Sequence, residues 1–170
     1  MIKVYQTIVG KKRGNCMQAT VASLLELPLD DVPHFLLKKN LGTFGMHKFF
    51  WKLGFEPCYI NRGKFDTEFM RKIAVFDGGV NGYFYGVVKS QTFENVWHAV
   101  IVDENLNIVH DPNPNQKALK LLPDDVEGIY VMHDMVIGKT GKLFTKEEWD
   151  NTTEEERDEN THRVILNNSK

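Results

Sequence analysis

Apolar side chains recur at a helical period over one segment near the start of the chain. Between residues 16 and 27 they recur every three or four positions, as Met17, Val21, Leu24 and Leu25. Asn15 stands where an N-cap belongs, and Pro28 cannot continue a helix. The pattern therefore predicts a helix over residues 16–27, the best-defined element of the sequence.

Further along the chain, the pattern predicts two more helices and several strands. Helices are expected over residues 46–53, where Gly54 is suited to end the helix, and over residues 65–72. Alternating or short apolar runs predict strands over residues 2–8, 55–60, 73–76, 83–89, 96–102, 107–110 and 128–133. Helices that precede most of the strands indicate an α+β fold, with helices packed on an antiparallel sheet.

Composition and length indicate a single folded domain with a polar extension. The 170 residues are 42% hydrophobic and 26% charged, which is typical of a globular domain. We expect one folded domain over residues 1–141. Residues 142–170 carry acidic runs with few apolar anchors, and we expect either a docked helix or a partly disordered segment there.

Charge and cysteine usage narrow the class of protein. A net charge of −2 gives no broad electrostatic reason to bind nucleic acid or an anionic membrane, and we expect neither partner. The first residues lack the apolar stretch of a signal peptide, and the two cysteines do not indicate a disulfide framework. These observations predict a reduced, cytoplasmic protein.

Cys16 stands in the first turn of the predicted helix. The thiolate is the reactive form of cysteine, and the free backbone N–H groups and positive end of a helix favour an anion there. The same N–H groups can stabilise an oxyanion on a substrate. Cys16 is therefore the candidate nucleophile, with a buried cysteine that merely begins a helix as the alternative. Cys58 lies within a predicted strand and is assigned to packing.

A cysteine nucleophile needs a histidine within hydrogen-bond reach and an acceptor that orients that histidine. His98 lies near the start of the strand predicted at 96–102, and a turn returns the chain to Asp111. A tight hairpin that pairs Ile101 with Ile108 places His98 opposite Asp111. The alternative acceptor, Asp103, lies about 16 Å away along the strand and on its other face.

The neighbours of Cys16 and His98 in the sequence are candidates for contact with substrate. Gly14, Asn15 and Trp97 flank the nucleophile and the base, and we expect them to contact substrate. His110 faces away from His98 in this register and is not expected to be the base. Five aromatic side chains are expected either to line a substrate cleft or to pack in the core: Trp51, Tyr59, Tyr83, Tyr85 and Trp97.

Three stretches of sequence resemble a known family. They are GNCMQATVASLL from residue 14, followed by PLDDVP from residue 28, then WHAVIV from residue 97 and HDPNP from residue 110. Over residues 5–115 the chain resembles small papain-like cysteine peptidases found among bacterial and bacteriophage proteins. The resemblance implies a papain-like fold, in which an N-terminal helix bearing the cysteine packs on an antiparallel sheet.

The same resemblance implies a function and one further site residue. It implies a thiol-dependent hydrolase, either a peptidase, an isopeptidase or an amidase, that forms a Cys16 thioester with His98 as general base and acid and Asp111 as orienting residue. It also implies an oxyanion-hole glutamine upstream of the cysteine. Gln6 is the candidate, although its interval to Cys16 is longer than is usual in the family. The implied substrate is a protein, a peptide or a small amide, and no cofactor is required.

Three alternatives to this hydrolase are open at the level of sequence. One is a catalytically inactive papain-like module, such as a phage-encoded inhibitor or adaptor, and another is a cysteine-dependent acyltransferase or deamidase. The third is a metal site built from His98, His110, Asp111, His133 and Asp134, all of which are competent ligands. No H-E-x-x-H or paired C-x-x-C motif supports a metal, so none is expected.

Overall fold

The fold is α+β. The computed structural model describes residues 1–37, 40–75, 79–80, 82–115, 122–134, 136–137 and 143–144. The helices are α1 (Cys16–Leu24), α2 (Thr43–Lys52) and α3 (Thr67–Val75), with short 3₁₀ turns at Leu29–Asp31 and Pro123–Asp125. The strands are β1 (Phe55–Asn61), β2 (Phe84–Lys89), β3 (Trp97–Val102), β4 (Ile108–His110), β5 (Val126–Asp134), β6 (Val136–Ile137) and β7 (Leu143–Phe144).

Five strands form one antiparallel sheet in the order β1-β5-β2-β3-β4, while β6 pairs with β7. Side chains alternate between the two faces of this sheet, and each face carries a hydrophobic cluster. Along β3, for example, Ala99 and Ile101 pack with α1 and α2, whereas Val100 and Val102 pack with Met70 of α3. Burial on both faces explains why this strand is apolar throughout.

Helix α1 is almost wholly buried and packs against β3 and β2. It ends three residues earlier than the apolar pattern predicts. Glu26 takes a left-handed backbone conformation with φ of 56°, and the N–H of Leu27 donates back to the carbonyl of Ala22. That bond closes the helix in the manner of a Schellman turn, and Pro28 disfavours helical backbone at the residue before it.

Most of the predicted elements are present, with boundaries shifted by a few residues. Gly54 follows α2 with φ of +84°, as expected of a helix terminator. The strand predicted over residues 2–8 is wrong, because the backbone there bonds to side chains and to a loop carbonyl rather than to a sheet. The strand predicted over 73–76 is also wrong as far as residue 75, which ends α3.

Beyond residue 134, the structure describes Val136–Ile137 and Leu143–Phe144 only. Within the predicted extension, β7 is described, and the other residues of 142–170 lie outside the described residues. The boundary at residue 141 therefore stays a prediction. Among the described helices, each is too short or too polar to cross a membrane.

Candidate active site

Cys16 is the first residue of α1, and its side chain meets the start of β3. Its sulfur lies beside the ring of His98 and the backbone N–H groups of Ala99 and Met17, and all three favour its thiolate form. The backbone N–H of Cys16 itself donates to no acceptor in the described part of the chain. The first turn of the helix therefore offers both a stabilised thiolate and a free donor beside it.

His98 joins the cysteine to a carboxylate. Its Nε2–H donates to Oδ1 of Asp111 at 2.8 Å, and both side chains are largely shielded from solvent. Because Nε2 is engaged by Asp111, Nδ1 is the ring nitrogen left for the Cys16 sulfur. The same Oδ1 atom accepts the N–H of Asn113 at 2.8 Å, which holds the carboxylate in place. The three residues form a continuous line from the thiol through the imidazole to the carboxylate.

The hairpin register that we predicted for this pair is wrong, although His98 and Asp111 do meet. The observed ladder pairs Ile101 with His110 and Val102 with Ile108, and a bulge separates the two pairs. An irregularity of this kind changes which residues face each other. Asp111 therefore follows the end of β4 and is not directly opposite His98, and its side chain reaches back to the imidazole.

Electrostatics favour a charged cysteine–histidine pair. Burial raises the pKa of the Cys16 thiol, but the hydrogen bond and charge of His98, with the backbone N–H groups of Ala99 and Met17, outweigh burial and leave that pKa below its ordinary value. Burial lowers the pKa of His98, yet its bonds to Asp111 and Cys16 raise that pKa to about 9. Both shifts favour the thiolate–imidazolium form of the pair over the neutral form.

Gln6 lies with Cys16 and His98 in the wall of one small pocket. Its side chain is buried, and its Oε1 has no hydrogen-bond partner among the described residues. Its backbone N–H donates to the carbonyl of Pro112 at 2.9 Å, directly beside Asp111. The structure therefore brings the candidate oxyanion donor to the nucleophile despite the long interval between them.

Two more anchors hold the segment that carries Gln6. Ser23 of α1 bonds to both the N–H and the carbonyl of Val4, at 2.8 and 3.2 Å. The Nε2–H of His110 donates to the same carbonyl at 2.8 Å, and Tyr5 packs edge-on against the His110 ring. His110 is thus a buried structural residue, in agreement with the expectation that it is not the base.

Asn15 plays a different part from the substrate contact that we expected. Its Oδ1 accepts the N–H groups of Thr7 and Ile8 at 3.1 and 2.9 Å, and its Nδ2 donates to Thr7 Oγ1 and Gln18 Oε1. It precedes the helix as predicted, but its side chain makes no capping bond. The amide is fully used within the protein, so Asn15 positions the Gln6 segment rather than meeting substrate.

Gly14 and Trp97 both lie at the site. A Cβ on Gly14 would come within 2.8 Å of the carbonyl oxygen of Gly10, so this loop closes only with glycine there. Gly14 also lines the small pocket beside Cys16. Trp97 is 58% exposed and lines both depressions around the nucleophile, as a substrate contact would. The exposed Cys58 lines neither of them.

Two depressions of very different size meet at the Cys16–His98 pair. The one that contains Gln6 has a volume of about 30 Å³, on the scale of a single water molecule. The other is a cleft of about 480 Å³. Its walls are mainly aromatic and aliphatic, with Lys11 as the charged residue outside the catalytic pair: Lys11, Met17, Leu36, Thr43, Tyr59, Tyr85, Val87, Asn95, Val96, Trp97, Ala99 and Tyr130.

Of the five aromatic residues that we predicted to lie either in a cleft or in the core, three line the cleft and two do not. Tyr59, Tyr85 and Trp97 line the cleft, whereas Trp51 and Tyr83 pack elsewhere. Sequence reasoning missed Tyr130, whose place in the cleft follows from its pairing with Tyr59 and Tyr85 across the sheet. The register of β5 against β1 and β2 would have been needed to predict the position of Tyr130.

The proposed metal ligands do not converge where they are described. In the part of the chain that the structure describes, no three potential metal-binding side chains form a group. His98 is bonded to Asp111, and His110 to the carbonyl of Val4. The side chains of His133 and Asp134 lie outside the described set.

Comparisons of the chain with protein-family models, with curated proteins and with solved structures find no match. The candidate roles of Cys16, His98 and Asp111 therefore rest on contacts within this chain. The sulfur lies at the start of a helix, the imidazole lies beside it, and the carboxylate accepts a hydrogen bond from the imidazole. These contacts define the candidate active site.

Proposed function

We propose that the protein is a thiol-dependent hydrolase of papain-like type, with Cys16 as nucleophile, His98 as general base and acid, and Asp111 as the residue that orients His98. The proposal is carried by one observation, the line from the Cys16 sulfur through the adjacent His98 ring to Asp111, which is hydrogen-bonded to that ring. A buried structural cysteine has no need of a histidine that is itself held by a carboxylate.

The first half of the proposed reaction forms a thioester. The Cys16 thiolate attacks the carbonyl carbon of an amide or peptide bond, and the carbonyl oxygen becomes an oxyanion. We assign the backbone N–H of Cys16 and the side-chain amide of Gln6, which lines the same small pocket, as the donors to that oxyanion. His98 then gives its proton to the leaving nitrogen as the carbon–nitrogen bond breaks, which releases an amine and leaves an acyl group on the sulfur.

The second half regenerates the enzyme. Neutral His98 takes a proton from a water molecule, whose oxygen attacks the thioester carbonyl. The carbon–sulfur bond breaks, the acid is released, and the thiolate is again paired with the protonated imidazole. Asp111 keeps the ring aligned during both proton transfers, because its Oδ1 is fixed by the Asn113 N–H.

The arrangement of elements supports the papain-like assignment. The cysteine begins a helix that packs on an antiparallel sheet, and the histidine stands at the start of a strand under that helix. The orienting carboxylate follows a neighbouring strand. Engagement of Asp111 by Nε2 leaves Nδ1 for the sulfur, a division of the two ring nitrogens that suits a thiolate–imidazolium pair.

Covalent trapping tests the proposal. An acyl-mimicking electrophile, such as a peptidyl acyloxymethyl ketone, is incubated with the full chain, and the modified residue is located by mass spectrometry. We expect one adduct at Cys16, none in Cys16→Ala, and a rate lower by about 10²-fold or more in His98→Ala. Cys58→Ala is the matched control and should label like the parent. Equal labelling of the two cysteines, or labelling insensitive to His98→Ala, would contradict the proposal.

A further inference from the structure

Three tyrosines form a row across the sheet beside the nucleophile. Tyr59 of β1 pairs directly with Tyr130 of β5, and Tyr130 pairs directly with Tyr85 of β2. Ring centroids are 5.0 Å apart in the first pair and 5.3 Å apart in the second. Directly paired residues lie on the same face of a sheet, and this face is the one that α1 covers. We call Tyr59, Tyr130 and Tyr85 the tyrosine row.

The row leads away from the catalytic pair toward solvent. Tyr85, Tyr130 and Tyr59 are 3%, 8% and 40% exposed in that order, and all three line the 480 Å³ cleft that also contains Cys16 and His98. Tyr85, the inner end of the row, lines this cleft together with Cys16, and burial followed by the charge of Cys16 raises the pKa of Tyr85. The row is therefore continuous with the reacting atoms.

Gly128 supports the outer end of the row. The Tyr59 side chain lies over the backbone of Gly128, in space that a Cβ would fill. Gly128 pairs with Asn61, two residues beyond Tyr59 on the same strand. The absence of a side chain at residue 128 thus lets the Tyr59 ring lean onto the sheet and remain beside Tyr130.

The walls of the cleft are mainly apolar, and the tyrosine hydroxyls provide hydrogen-bond donors. None of the three hydroxyls bonds to a described residue, so each keeps a free O–H. Burial raises the pKa of Tyr130 to about 12 and that of Tyr85 well above its ordinary value, so both remain protonated donors. Lys11 adds a positive charge, and no carboxylate lines the described cleft.

We infer that the cleft binds a large side chain on the acyl part of the substrate that has a flat or elongated apolar body and a hydrogen-bond acceptor at its tip. The rings of the tyrosine row contact the apolar body, and the hydroxyls of Tyr85 and Tyr130 donate to the acceptor. A cationic tip would meet Lys11 and no compensating carboxylate. This inference rests on the proposed function, since it names the acyl group that Cys16 would attack.

Peptidyl acyloxymethyl ketones that differ in one para substituent test this inference. The varied residue is phenylalanine carrying hydrogen, a carboxamide or an aminomethyl group, placed at the first or second residue from the ketone in two series. The second-order rate of Cys16 labelling is measured on the full chain with Cys58→Ala. We expect the carboxamide probe to react about three- to tenfold faster than the unsubstituted probe in one series, and the aminomethyl probe to react slowest.

Removing the tyrosine hydroxyls tests whether the tyrosine row causes the faster reaction of the carboxamide probe. Tyr85→Phe and Tyr130→Phe keep the rings, and we expect them together to bring the ratio of the carboxamide rate to the unsubstituted rate, measured within the variant protein, down to about 1. Tyr83→Phe, outside the cleft, should leave the advantage intact. Equal rates for the three probes, a fastest aminomethyl probe, or an advantage that survives both deletions would overturn the inference while Cys16 labelling still supports the hydrolase. Failure of every probe to label Cys16 would instead refute the hydrolase and the inference together.

Discussion

The Nε2 atom of His98 lies 2.8 Å from Oδ1 of Asp111, and that same oxygen also accepts the backbone N–H of Asn113. One carboxylate atom thus receives two donors, which fixes its position at the end of β4. A fixed acceptor limits rotation of the imidazole and leaves its other nitrogen directed at the Cys16 sulfur. Both the charge and the direction of the histidine therefore depend on Asp111.

Replacement of Asp111 separates these two contributions. Asp111→Ala removes the acceptor and its charge, and we expect kcat/KM toward an amide substrate to fall by about 10²-fold. Because the Asp111 bond and charge help raise the His98 pKa to about 9, its removal should shift the alkaline limb of the pH–rate profile to lower pH. Asp111→Asn keeps a carbonyl acceptor and loses only the charge, so it should retain more activity and show a smaller downward shift. An alkaline limb unmoved in both variants would exclude Asp111 as the partner of His98.

Gln6 is expected to act on the oxyanion and not on the thiolate. Gln6→Ala should therefore lower kcat for amide hydrolysis by about 10²-fold, as loss of one oxyanion donor does elsewhere. Alkylation of Cys16 by iodoacetamide forms no oxyanion, so its rate should change less than twofold. Measuring both rates on one preparation distinguishes the roles. A parallel fall in alkylation would indicate that Gln6 acts through the nucleophile or through the fold.

Asn15 is expected to matter for the stability of the fold, because it is buried and holds residues 7 and 8. Asn15→Ala leaves the N–H groups of Thr7 and Ile8 without their acceptor, and we expect a loss of about 2–3 kcal/mol in the free energy of unfolding. Urea denaturation followed by circular dichroism measures that loss. A variant as stable as the parent would show that these bonds do not hold the segment.

The loop before the nucleophile offers a matched pair of glycines. Gly14→Ala places a Cβ within 2.8 Å of the Gly10 carbonyl, whereas Gly10→Ala meets only the Gly14 nitrogen at 4.0 Å. We expect Gly14→Ala to lower stability by about 1–3 kcal/mol and to slow Cys16 labelling, because the loop must shift. Gly10→Ala should be close to the parent in both measurements. Similar behaviour of the two variants would contradict the close approach.

Residues whose role depends on local geometry could be predicted from the sequence. The start of α1 at Cys16 follows from the period of the apolar residues and from the position of Asn15, and Gly54 ends α2 as a left-handed glycine should. The α+β class follows from the order of the elements. The pairing of His98 with Asp111 was reached through an incorrect register, since a bulge in the β3–β4 ladder cannot be read from an apolar pattern.

Residues whose role depends on distant partners could not be predicted in this way. Asn15 was assigned to substrate, because nothing in its neighbours reveals that Thr7 and Ile8 return to its amide. Residues 2–8 alternate like a strand, yet their bonds go to side chains and to Pro112, a partner more than a hundred residues away. The place of Tyr130 in the cleft depends on the order of the strands, which the apolar pattern does not give.

The pH dependence of Cys16 alkylation tests the central claim most directly. The second-order rate with iodoacetamide is measured from pH 4 to pH 10 in Cys58→Ala, with Cys58→Ala/His98→Ala as control. Because His98 lowers the pKa of Cys16, and its own pKa is raised to about 9, we predict reactivity that begins below the ordinary thiol pKa and a second transition near pH 9. Both features should disappear without His98. A single transition at about pH 8.5 in both proteins, the behaviour of an ordinary thiol, would contradict the account.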